Sequence, residues 1–188
     1  MPLFVIRRTF TSASETDLDA AAFRALACAP YHEGMRWERS YWDASAEETL
    51  CIYLAKGEVD IRSHAQRAHI PCDEVRQIDE VLPERYGGAS ALYPQSEAVG
   101  TPMMFVVRRP FPGVTTAELD AAAIRSLACA QPGLSWVRSF WDARMEETLC
   151  VYNALSADDI RHHAIQAQIP CDEVRSVEEI LPERFINA

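Results

Sequence analysis

The chain is poor in the features that announce a common activity. It has no block of Lys and Arg: 18 basic residues stand against 28 acidic ones, for a net charge of −10. Nucleic acid and anionic membrane surfaces both demand clustered positive charge, so neither is an expected partner. No apolar run approaches the length of a membrane-spanning helix, and MPLFVIRRTF lacks the charged-then-apolar layout of a signal peptide. These features predict a soluble cytoplasmic protein. There is no CxxC pair, which excludes zinc-ribbon and thioredoxin readings. Nucleophile-elbow, P-loop, dinucleotide and HExxH motifs are missing as well. No reaction can be read off a motif.

What the sequence does contain, it contains twice. FVIRRTF is answered by FVVRRPF, LDAAAFRALACA by LDAAAIRSLACA, and RSYWD by RSFWD. TLCIY is answered by TLCVY, and SHAQRAHIPCDEV by HHAIQAQIPCDEV. The duplication predicts a repeat over 1–86, a linker over 87–102 with small, polar and Pro/Gly-containing composition, and a second repeat over 103–188. Cysteine follows the same rule, three per repeat at matching places: Cys28, Cys51 and Cys72, then Cys129, Cys150 and Cys171. In a reducing compartment these are free thiols.

Within repeat 1, Leu3–Arg8 is apolar and β-branched, hence a strand. Ser14 and Asp17 form a capping-box signature ahead of Leu18, Ala21, Ala22, Ala25 and Leu26 at helical spacing. Met35–Asp43 and Thr49–Ala55 read as a hairpin, Glu58–His69 as a helix stopped at Pro71, and Val75–Leu82 as a last strand. The order βαββαβ is the ferredoxin-like unit, an antiparallel sheet with both helices on one face. The predicted fold is α+β: two ferredoxin-like repeats packed sheet to sheet as a pseudo-twofold dimer within one chain, with further homodimerisation left open.

Three groups of residues stand out. Strict alternation along the second strand places Trp37, Arg39 and Tyr41 on one face, and Trp136, Arg138 and Phe140 on the equivalent face. An arginine interrupting an apolar row either pairs with a carboxylate or holds an anionic ligand. His64 and His163 border the buried stripe of their helices, where they could meet that arginine. Cys51 and Cys150 lie mid-strand, and if Asp43 pairs with Glu48, Cys51 sits opposite Ser40. Three further histidines, His32, His69 and His162, read as surface residues because they differ between the repeats.

The same segments, FVIRRTF, RSYWD, TLCIY and IRSHAQRAHIPCDEV with their second copies, resemble a family of small bacterial ferredoxin-like proteins typified by a nickel-binding member. The resemblance covers nearly the whole chain outside the linker. It implies a fused dimer that binds nickel, or another divalent transition metal, without catalysis. The positions that carry over are His64 with Cys51 and His163 with Cys150. One departure is visible: Arg39 and Arg138 stand where a histidine is expected, and a guanidinium has no lone pair to offer a metal. That swap suits a small-molecule pocket or enzyme using Arg39/His64 and Arg138/His163. A structural or interaction module is the third reading.

Overall fold

In the computed structural model, which describes residues 1–87 and 100–186, the chain forms two compact units. Most of the expected linker, residues 88–99, lies outside the described residues. Unit 1 comprises Met1–Ile78 with Glu178–Ala188, and unit 2 comprises Asp79–Val177.

Unit 1 runs β1 (Leu3–Thr9), α1 (Glu15–Cys28), β2 (Arg36–Asp43), β3 (Glu48–Leu54), α2 (Glu58–Ala68) and β4 (Glu74–Val81). Its strands pair antiparallel in the order β4-β1-β3-β2. Unit 2 repeats this with β5 (Met103–Pro110), α3 (Thr116–Ala128), β6 (Ser135–Asp142), β7 (Glu147–Ala154), α4 (Ala157–Ala167) and β8 (Glu173–Ile180). A four-residue helix, α5 (Glu183–Ile186), follows. Both copies have the βαββαβ order of a ferredoxin-like repeat.

The long last strands depart from the expected repeat bounds. β4 pairs with β1 through Ile78, and its final residues Asp79–Val81 pair with β6 inside unit 2. β8 does the reciprocal: after Val177 its residues Glu178–Ile180 pair with β2 inside unit 1. Each unit is therefore completed by the tail of the other repeat. Phe185 enters the core of unit 1 and Tyr86 packs on the core of unit 2.

Local chemistry explains the elements. Ser14 caps α1 as expected: its Oγ accepts from the Asp17 amide, and Asp17 accepts from the Ser14 amide at 2.9 Å. Thr115 and Glu118 do the same for α3. The hairpin pairs Asp43 with Glu48 and Ser40 with Cys51. A bulge corrects the expected alternation of β2. Trp37 pairs with Tyr53 and Arg39 pairs with Ile52, so Glu38 is an extra residue in the strand. The bulge recurs at Val137 between Trp136 and Arg138. The alternation resets there. Trp37 faces the helices and donates its Nε1 hydrogen to Ser40 Oγ at 2.9 Å, whereas Arg39 and Tyr41 turn to the other face. The core beneath the helices gathers Phe4, Ile6, Trp37, Cys51, Tyr53 and Ile61 in unit 1. Phe105, Val107, Trp136, Cys150, Tyr152 and Ile160 occupy those positions in unit 2.

Candidate ligand pocket and the buried arginines

The arginine beneath the helices is not the expected one. Arg39 Nη1 donates to Glu179 Oε1 at 2.7 Å, and Arg138 pairs with Glu80. Each is the strand arginine paired with a carboxylate, on the face away from Trp37 or Trp136. The expected pocket groups Trp37–Arg39–Tyr41 and Trp136–Arg138–Phe140 are thus split by the two bulges, with Tyr41 and Phe140 buried on the arginine side.

Arg8 and Arg109 take the interior position. They are 2% and 1% exposed, among the least exposed large side chains described. β1 carries Phe4, Ile6 and Arg8 in one alternating row, and β5 carries Phe105, Val107 and Arg109, so the row that builds the core ends in a guanidinium. Arg109 donates through Nη1 to the Pro170 carbonyl, and its other neighbours are Tyr152 and Cys150, with no carboxylate among them. Arg8 likewise donates to the Pro71 carbonyl, with Cys51 and Tyr53 beside it. Burial pulls the pKa of Arg109 down, but Tyr152, Cys150 and Cys171 outweigh it, and the group stays charged. An arginine interrupting an apolar strand was visible in both RR pairs, but they read only as strand residues.

In unit 2 this guanidinium lies on the wall of a cavity of about 500 Å³ between α3 and the sheet. Such a volume suits a small organic ligand. The buried lining mixes polar groups from Arg109, Ser126, Ser139, Thr148 and Tyr152 with apolar surface from Ala122, Trp136 and Ile169. Ser126 Oγ and Tyr152 OH are 2.9 Å apart. Trp136, Trp141, Tyr86 and Phe111 supply aromatic surface, and the exposed Asp79, Glu80 and Arg85 mark the mouth. Tyr86 donates to Asp120 at 2.6 Å, and burial followed by that carboxylate pushes the phenol up to about 12.

The equivalent cavity in unit 1 is only about 50 Å³. Phe185 stands where Tyr86 stands in the other repeat. With no hydroxyl to tether it to the helix carboxylate, it stacks on Trp37 at 5.9 Å and meets Phe23 edge-on at 5.3 Å. The counterpart of Phe23 is Ile124, which is 55% exposed, and Ala25 replaces Ser126.

The histidines are fully buried. His64 Nε2 donates to the Ala25 carbonyl at 2.8 Å, and His163 Nε2 to the Ser126 carbonyl at 2.9 Å. Each Nδ1 is buried without a partner. Burial lowers both pKa values; the backbone carbonyl opposes it and the nearby arginine reinforces it. His32 is not the surface residue expected from its insertion. Its ring meets that of His64 edge-on at 5.8 Å, and its Nε2 is buried without a partner. Cys51 and Cys150 face the helices, each Sγ within 3.3 Å of the threonine hydroxyl two residues before it. Among the described residues no three His, Cys, Asp or Glu side chains are grouped to hold a metal ion.

A family model described as nickel responsive protein, SCO4226-like, matches residues 4–78 and 105–177. The chain belongs to the SCO4226-like family. Its two matched segments end at 78 and 177, the residues where the last strands pass from one unit to the other. No curated protein matches the chain. Among solved structures, an anthrone oxidase-like protein is similar with a TM-score of 0.52 at 11% identity, over 98% of this chain and 95% of that one. A chlorite dismutase variant from Candidatus Nitrospira defluvii, solved with cyanide, gives 0.51 at 9% identity, over 98% and 92%. At these identities the likeness concerns the fold alone. Among the described residues of this SCO4226-like chain, no helix is long and apolar enough to cross a membrane.

Proposed function

We propose that this SCO4226-like protein binds one small organic anion in the cavity of unit 2, with Arg109 as the counter-charge. The observation that carries this reading is a charged guanidinium, 1% exposed and on the wall of a cavity, that among the described residues has no carboxylate partner. A buried guanidinium without an anion is costly. A carboxylate accepting from two of its N–H groups removes that cost and gives the bound molecule a fixed orientation. Isothermal titration with benzoate tests the reading. Arg109→Met, checked for folding by circular dichroism, is expected to weaken binding at least tenfold, since a charge-assisted hydrogen bond contributes about 1.5–3 kcal/mol. Equal affinity in the variant rejects it.

Nickel binding is the second reading. It is supported by the family's description and by the unpartnered Nδ1 of His64 and His163. The fit is incomplete. His64 and Cys51, or His163 and Cys150, supply two donors per unit, and each cysteine shares its surroundings with the buried Arg8 or Arg109. A cation next to the donors opposes a second cation. The metal reading expects Ni²⁺ binding by tag-free protein that is lost in a His64→Gln/His163→Gln double variant. Binding unchanged in that variant removes these residues as ligands.

A further inference from the structure

The geometry points to a ligand of narrower class: a planar aromatic monoanion carrying a second polar group, bound once per chain and read at that group by the Ser126–Tyr152 hydroxyl pair. This inference rests on the anion reading above and adds the charge, shape, polarity and stoichiometry of the ligand.

Charge comes first. Arg109 is the one cation among the buried lining residues, so it matches a single negative charge. Around the mouth, Asp79, Glu80 and Asp120 face Arg85 and the Glu80 partner Arg138, three carboxylates against two guanidinium groups. A dianion or a phosphate would bring excess negative charge past an already negative rim.

Shape comes from the aromatic lining. Trp136, Trp141, Tyr86 and Phe111 present flat apolar surfaces that reward a flat ring through offset or edge contacts.

Polarity comes from the hydroxyl pair. Ser126 and Tyr152 are 5% and 2% exposed, line the cavity, and sit 2.9 Å from each other. Only one of their two protons can lie between the oxygens. With the Tyr152 oxygen also beside the Arg109 guanidinium, the Ser126 hydroxyl proton is the one left for a ligand. Burial raises the Tyr152 pKa, so its proton is retained at neutral pH. Unit 1 keeps the arginine and the tyrosine as Arg8 and Tyr53, but it has Ala25 at the serine position and a cavity of about 50 Å³. That volume suits a water or two, not a ring. The unequal copies are the reason for one site rather than two.

Titration calorimetry of the full chain with benzoate, 3- and 4-hydroxybenzoate and terephthalate tests this class. The expected result is one equivalent per chain, with the better hydroxybenzoate about tenfold tighter than benzoate, as one buried hydrogen bond allows, and terephthalate weaker than benzoate. In Ser126→Ala the ratio between hydroxybenzoate and benzoate falls to near one. That variant installs the residue unit 1 already carries beside its own tyrosine, so the fold accommodates it. Hydroxybenzoates no tighter than benzoate, a preference that survives Ser126→Ala, two equivalents per chain, or terephthalate binding as tightly as benzoate each overturn the inference while leaving the anion reading standing. Absence of benzoate and hydroxybenzoate binding overturns both.

Discussion

At the scale of single residues, the decisive difference lies between two arginines on neighbouring strands. Arg39 interrupts an apolar row if β2 alternates strictly, and Arg8 interrupts one on β1 by the same rule. Only β1 keeps strict alternation. The bulge at Glu38 sends Arg39 to Glu179, and nothing in WERSYW marks an extra residue. The burial of His64 and His163 was legible from the helical stripe; the carbonyls they bond were not, because those belong to α1 and α3. These histidines make stability depend on pH. Burial, reinforced by the neighbouring arginine, holds both below the ordinary value of 6.5. The unfolded chain takes up these protons near pH 6.5 and the folded chain only at lower pH. Their contribution is therefore intact above pH 6.5 and lost as pH falls through the folded-state values. Thermal unfolding followed between pH 7.5 and 5 is expected to show a Tm that falls below pH 6.5. The His64→Gln/His163→Gln variant is expected to lose part of that slope, and an identical slope contradicts the assignment.

At the scale of elements, caps and periodicity made most boundaries readable. α1 starts one residue after Ser14, α2 spans Glu58–Ala68, and β3 spans Glu48–Leu54, each within a residue of its expected bound. These signals are local: a side chain bonding an amide three residues on, or an apolar face at fixed spacing. Ser14→Ala and Thr115→Ala each remove one such bond from a first helical turn, and each is expected to cost about 1 kcal/mol in urea unfolding. A loss below a few tenths in both would mean that packing alone sets these helix starts. The cavity is less local. It accompanies several differences between the copies, among them Tyr86 tethered to Asp120 against Phe185 lying on Phe23, Ile124 in place of Phe23, and Ser126 in place of Ala25.

At the scale of the whole molecule, the duplication was plain, and the family model matches once within each expected repeat, over 4–78 and 105–177. The exchange of strand ends was not readable, because EVRQIDEV and EVRSVEEI look like ordinary last strands and nothing in either marks where its pairing partner changes. That exchange brings Tyr86 to unit 2 and Phe185 to unit 1, so that the difference between these two residues falls on the opposite units. The central claim is that Arg109 in unit 2 holds an organic anion, and a crystal grown with 4-bromobenzoate tests it most directly through the anomalous signal of bromine. The account predicts one bromine per chain, inside the cavity of unit 2, with the carboxylate directed at the Arg109 guanidinium. A cavity of unit 2 without bromine at saturating ligand, or bromine there with the carboxylate directed away from Arg109, would contradict it.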